Sequence, residues 1–193
     1  MRGMGGMTTV GSILVAAALT SGCATRGTSA AKEPSWMAWA ELKNVSGESV
    51  GSAVLQQEDG RVRIVVQASG LTPGRHGIHV HAVGRCEPPA FQSAGGHFNP
   101  LGKKHGLENP EGAHGGDLPH LEADNTGRTE YVAVTDRLTL GPGPTSIFDA
   151  DGSAIVIHEK PDDQRTDPSG NSGERVLCGQ VVAGPTTGLL PRP

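Results

Sequence analysis

Aromatic side chains are scarce in this sequence: two Trp, one Tyr and three Phe make up 3% of 193 residues. Basic clusters are missing as well. Lys and Arg number 16 against 20 Asp and Glu, for a net charge of −4 and a pI of about 6.0. Such a chain offers no positive face to a phosphate backbone, which excludes nucleic-acid binding. No apolar run reaches the roughly 20 residues that a membrane-spanning helix needs. With 35% hydrophobic residues and no ten-residue stretch of helical periodicity, helical and transmembrane bundles are excluded too. Cysteines are few and odd in number: Cys23, Cys86 and Cys178.

Turn formers and histidine are abundant. Gly (29) and Pro (14) reach nearly double the usual combined share of roughly 12%, which suits short strands joined by turns and long loops. Six of the eight His fall between His79 and His120. Crowding of that kind in a loop-rich region points to metal chemistry.

The first residues read as a targeting segment. Arg2 is followed by the ten-residue apolar stretch Val10 to Leu19, too short to span a bilayer and of the right length for a secretory leader. It ends in Leu19-Thr20-Ser21-Gly22-Cys23, which resembles a bacterial lipobox with Thr20 where Leu is usual. An ordinary leader with an incidental Cys is the alternative. Lipid on Cys23 would account for the odd thiol and leave Cys86 and Cys178 as one pair in an oxidising compartment. The expected organisation is a signal peptide over 1–22, a lipidated Cys and flexible tether over 23–36, a folded domain over 37–184 and a tail over 185–193. Ala24 after the Cys suits outer-membrane sorting in a Gram-negative cell envelope.

Strands are expected at Met37–Val45, Val50–Gln57, Arg61–Ala68, His76–Ala82, Leu118–Ala123, Arg128–Thr135, Ala154–His158 and Arg175–Val182. Asp59-Gly60 between two alternating runs is a hairpin signal. The fold class is all-β: an eight-stranded antiparallel Greek-key barrel or sandwich, immunoglobulin-like in layout. Two stretches carry no strand pattern, Val83 to Asp117 and Glu159 to Glu174. Loops beyond about 12–15 residues need something to order them, and a metal or a disulfide would do so.

His79-Val80-His81 places two imidazoles on one face of a strand, about 6.6 Å apart. The segment continues as Gly77-Ile78-His79-Val80-His81-Ala82-Val83-Gly84-Arg85-Cys86, then Gly95-Gly96-His97-Phe98-Asn99-Pro100, then His105, His114 and Asp117. Later come Ile157-His158-Glu159-Lys160-Pro161-Asp162-Asp163 and Gly170-Asn171-Ser172-Gly173-Glu174-Arg175-Val176-Leu177-Cys178-Gly179.

In these five blocks, and over roughly residues 37–183, the chain resembles the copper,zinc superoxide dismutases of the bacterial exported type. The resemblance implies one copper held by His79, His81, His97 and His158, and one zinc held by His97, His105, His114 and Asp117. Imidazole nitrogens suit Cu(II), and a closed three-His, one-carboxylate set suits a structural zinc. His97 would bridge the two ions as imidazolate and carry a proton to the product. Asp162 would fix the rings of His79 and His105. Arg175, at the strand start that follows a second, electrostatic loop, would meet the superoxide anion, and Cys86 would pair with Cys178. Soft metal ligation by Cys86 is the alternative.

The implied reaction converts two superoxide anions and two protons into dioxygen and hydrogen peroxide by copper redox cycling, protecting the cell envelope. The resemblance also admits a homodimer. His76 is expected at the surface at a strand start, and His120 in a loop or at a strand edge. Two other classes compete: a non-catalytic copper-buffering lipoprotein on the same fold, and a zinc-only structural module. Retention of every ligand and of Arg175 favours the enzyme.

Overall fold

The computed structural model describes Met1 and residues 36–184; the leader, Cys23, its tether and the tail lie outside the described residues. Ten strands are present among them: β1 Trp36–Asn44, β2 Ser49–Glu58, β3 Arg61–Ala68, β4 Gly74–His76, β5 Ile78–His81, β6 Leu121–Ala123, β7 Thr129–Thr135, β8 Ala154–His158, β9 Arg175–Gln180 and β10 Val182–Ala183. Eight form a strongly curled antiparallel sheet in the order β5-β8-β9-β1-β2-β3-β7, with β10 paired to β1, while β4 and β6 make a separate two-stranded sheet.

All eight expected runs are strands, and two of them are divided. Gly77 splits the run at His76: its N–H donates to Lys160 O and its carbonyl accepts from His158 N, both at 2.8 Å. The chain thereby changes partner, from β6 at His76–Leu121 to β8 at Ile78–Ile157. A Cβ at Gly77 would stand 2.9 Å from Ser172 Cβ, so the crossing is built around the missing side chain. The last run divides at Val181, whose N–H leaves the ladder for Ser153 O at 2.9 Å. The β2–β3 hairpin turns through Asp59 and Gly60 at φ 50° and 75°, the left-handed pair that a tight two-residue hairpin requires.

Burial follows the pleat. In β3, Val62, Ile64, Val66 and Ala68 point inward, and β7 alternates in the same way from Thr129 to Thr135. By contrast β5 and β8 are buried on both faces. Ile78, Val80, Ile155 and Ile157 enter the main core with Leu42, Leu55, Ile64 and Leu118. Their opposite face carries His79, His81, Ala154, Val156 and His158, and a strand with both faces covered needs something laid over the outer one. Here that cover is the long loop after β5, with a short 3-10 turn at Gln92–Ala94.

The loop is stapled to β9 by the Cys86–Cys178 disulfide, which closes a sequence separation of 92 residues. Cys178 is fully buried and packs with Phe91, Ala94, Ala154 and Val156. Constraint of so long a loop in the unfolded chain is worth about 4–5 kcal/mol on the chain-entropy model. Replacing both cysteines (Cys86→Ser with Cys178→Ser) is expected to lower unfolding stability by about 2–5 kcal/mol. Urea unfolding of the metal-loaded protein measures it, and an unchanged midpoint contradicts this account of the loop.

Candidate metal centre

The site begins with the exposed hydrogen-bonding edge of β5. Two stretches of the long loop complete that edge: Val80 N–H donates to Gly116 O at 2.9 Å and Val80 O accepts from Phe98 N at 2.8 Å. The resulting bridges set His79 opposite Asp117 and His81 opposite His97. Gly116 is required for this approach, since a Cβ there would overlap Val80 O. His158 arrives from the end of β8. His105 and His114 come from the same loop as Asp117.

Two groups of potential ligand atoms result, each within 4.8 Å of one another: His79, His81, His97 and His158, and His79, His97, His105 and Asp117. His114 adjoins the second group, its Nδ1 3.3 Å from Asp117 Oδ1 and 3.4 Å from His97 Nδ1. His79 sits between the groups, its ring stacked on His97 at 3.9 Å. Every residue expected as a ligand is thus gathered in one place.

The hydrogen bonds decide which nitrogen of each ring is left over. His81 Nδ1 faces Gly95 O at 2.9 Å and His158 Nδ1 faces Gly173 O at 3.2 Å. Their Nε2 atoms are left 3.4 Å apart. Asp162 takes His79 Nε2 at 2.7 Å on one carboxylate oxygen and His105 Nε2 at 3.0 Å on the other. Asp117 Oδ1 lies 2.9 Å from His97 Nδ1 and 3.1 Å from His105 Nδ1. That leaves His79 Nδ1 and His97 Nε2 buried with no partner among the described residues.

Buried polar nitrogens without partners are costly, and a cation between them removes the cost. Ligands about 2.0 Å from a tetrahedral ion lie roughly 3.3 Å apart, close to the spacings around Asp117 Oδ1. The residues present therefore fit two ions. His97, like His79, is common to both groups, with Nδ1 at Asp117 and Nε2 without a partner among the described residues.

Electrostatics agree with that division. Burial, helped by the neighbouring rings His97 and His158, pushes the His79 pKa down to about 3, and burial lowers His158 to about 4. His81 and His97 are lowered by the same cause. These rings are neutral, with a lone pair to give. For His105 burial acts downward, but hydrogen bonds to Asp117 and Asp162 outweigh it and raise the pKa to about 9. Both carboxylates titrate well below the usual range, because hydrogen bonds from the rings outweigh burial. A cation on the Asp117 side thus displaces a proton from His105.

Arg175, at the start of β9, donates from Nη1 to Phe91 O and from Nη2 to Gly95 O, both at 2.7 Å. It opens with His81, His97 and His158 onto a cavity of about 430 Å³, lined also by Gln92, Asn99, Ser169 and Glu174.

His76 is not a surface residue. It is 2% exposed, with Nδ1 2.7 Å from His158 O and Nε2 2.8 Å from Thr72 O. It is the last residue of the short β4, and the end of β8 packs against it through the His158 carbonyl. Its parity with Ile78 and Val80 was the available signal. His120 is half-buried beside β6 and belongs to neither group. Gln164, Arg137 and Asp167 carried no motif. Gln164 is buried and ties Leu107 N to Leu118 O. Arg137 Nη2 donates to Asp117 O at 2.6 Å, and Asp167 accepts from His105 N at 2.8 Å.

Residues 49–181 match the family model described as copper/zinc superoxide dismutase. Two proteins of Aquifex aeolicus, superoxide dismutases [Cu-Zn] 2 and 1, are 46% and 45% identical to this chain over 75% and 74% of its length and 85% of each of theirs. A crystal structure of a SOD-like protein from Bacillus subtilis superposes with a TM-score of 0.71, at 42% identity, over 73% of this chain and 95% of that one. On the extent of the match and the identity of these relatives, the chain belongs to the copper/zinc superoxide dismutase family.

Proposed function

We propose that this chain dismutes superoxide in the cavity below Arg175, with His79, His81, His97 and His158 holding copper and His97, His105, His114 and Asp117 holding zinc. The observation that carries the reading is His97. Its Nδ1 is directed at Asp117 and its Nε2 lies buried and unpartnered, so one ring serves both groups. When bound, copper supplies a one-electron couple and zinc a fixed positive charge.

The remaining work belongs to the chain. Arg175 keeps its charge at any physiological pH and draws an anion into the cavity. Two carbonyls hold the guanidinium, so its remaining hydrogens are aimed rather than free to wander. Neutral His79, His81 and His158 stay ligands, each locked by a hydrogen bond on its far nitrogen. His97 Nε2 would take up a proton and give it to the second superoxide as that is reduced, while its Nδ1 side stays anchored among His105, His114 and Asp117. With one more proton from water, two superoxide anions and two protons leave as dioxygen and hydrogen peroxide.

The chain is further proposed to be exported, cleaved before Cys23 and lipid-anchored in the envelope; the intact mass of the mature N-terminus tests this, and an unmodified Cys23 refutes the anchor. Val132 and Val134 stand 52% and 55% exposed on β7. Val132 continues across the outer face to Val65 and Val54. A homodimer would use that face, and a sedimentation coefficient that stays at the monomer value at every concentration argues against it.

Metal analysis with a dismutation assay, with and without added copper, tests the main reading. One copper and one zinc per chain with fast turnover is expected; tight copper without turnover favours a copper-buffering protein instead. Arg175→Ile is expected to keep both metals and lose roughly ten- to a thousandfold in rate, with weaker salt dependence; an unchanged rate refutes the role of Arg175. Asp162→Asn is expected to lower metal affinity about 10–100-fold, zinc included. Full metal retention under chelator challenge contradicts that.

A further inference from the structure

Both carbonyls that hold Arg175 come from the long loop, and each is tied to something else. Gly95 O also accepts from His81 Nδ1 at 2.9 Å, so it fixes a metal-facing ring and the guanidinium together. The other carbonyl belongs to a residue with an unusual backbone. Phe91 has φ 53° and ψ 25°, a left-handed conformation that a bulky L side chain rarely adopts. Such a conformation persists only where the surroundings impose it.

Here the surroundings are apolar. The Phe91 side chain is wholly buried in a cluster with Ala94, Ala154, Val156 and Cys178, with Cys86 alongside. Two of those residues lie on β8 and one on β9, three positions after Arg175. The backbone is pinned as well: Phe91 N donates to Glu87 O at 3.0 Å and Phe91 O receives Ala94 N at 3.1 Å.

We propose that Phe91 is a positioning residue for Arg175. Its ring, locked against β8 and β9, imposes the left-handed backbone that turns the Phe91 carbonyl onto the guanidinium. The ring thereby joins both ends of the contact into one rigid unit. Without it Arg175 keeps its charge and the Gly95 partner, yet swings about that single hydrogen bond. What is lost is the place of the charge, and errors of about 1 Å in placement are costly to catalysis. The proposal rests on the reading of Arg175 as the group that meets superoxide.

The test compares Phe91→Ala and Phe91→Leu, alone and with Arg175→Ile, as copper- and zinc-loaded protein with rates expressed per bound copper. Phe91→Ala is expected to lower the second-order rate with superoxide about tenfold and to flatten its ionic-strength dependence. Phe91→Leu, which restores apolar bulk, is expected to recover most of both. In the Arg175→Ile background Phe91→Ala should cost nothing further. A readout apart from activity is the guanidinium NMR signal of Arg175 in the reduced, diamagnetic protein: resolved and slowly exchanging in the parent, averaged in Phe91→Ala.

Unchanged rates and an unchanged guanidinium signal in Phe91→Ala overturn the proposal, as does an additive loss in the double variant. Should Arg175→Ile itself keep full activity, the reading of Arg175 falls, while the NMR comparison still decides whether Phe91 places it. If Phe91→Ala does not fold, Phe91→Val carries the same comparison.

Discussion

The main chain of Val80 is the joint on which the site depends. Its side chain is in the core, while its N–H and carbonyl bind Gly116 and Phe98 of the loop. An edge strand left open is a liability in any sheet. This chain closes the edge with its own loop, and the closure sets Asp117 against His79 and His97 against His81. Register and chemistry are therefore one constraint. Because strand side chains alternate, the same backbone bonds that seat Val80 inward direct both flanking imidazoles to the outer face. A slip of one residue would send the histidines into the core and Val80 into the site.

Beyond Phe91, Ala94, Phe98 and Leu118, the loop that does this buries little apolar material of its own. Its order comes from polar groups that share partners: Asp117 receives two rings on Oδ1 and the N–H groups of Gly106 and His114 on Oδ2, and Asp162 receives a ring on each oxygen. Buried networks of this kind stabilise only when every member is satisfied. Among the described residues, the ring nitrogens His79 Nδ1 and His97 Nε2 of this network have no protein partner. Metal binding thus completes the packing of the loop as well as the chemistry of the site, and the folding of this half of the molecule is coupled to its cofactors. Asp162 extends that coupling to the second loop, because Gly170 passes so close that a Cβ there would overlap its carboxylate.

Much of this was legible in the sequence, for identifiable reasons. Alternation located β3 and β7, Asp59-Gly60 marked the turn between β2 and β3, and the paired histidines on β5 revealed the face of the site. What stayed hidden depends on backbone rather than side-chain type. The change of partner at Gly77 is invisible because the run from His76 to Ala82 alternates without a break. His76 was misplaced because a polar residue at an expected strand start reads as exposed until the end of β8 is seen to meet it through the His158 carbonyl. Gln164 and Arg137 act through main-chain groups of distant loops, and no spacing rule connects them to Leu118 or Asp117. The same holds for Phe91, whose apolar side chain gives no hint that its carbonyl holds a guanidinium.

The way Arg175 is held also separates the two readings of the molecule. A protein that only stores copper needs the four imidazoles and the hydrogen bonds that lock them, all of which are complete without Arg175. A guanidinium beside the metal-facing rings works against storage, because its charge repels the cation: it acts to lower the pKa of His81 and His158, the same direction in which it opposes an arriving metal ion. It also loses water on entering the half-buried position, which burial registers as a lowered pKa of its own. Two carbonyls, one of them supplied by a residue in a left-handed conformation, are arranged to offset that cost. An expense with no return for metal retention is intelligible when the cavity must receive an anion, since a fixed positive charge then draws that anion toward His81, His97 and His158, which line the cavity with Arg175.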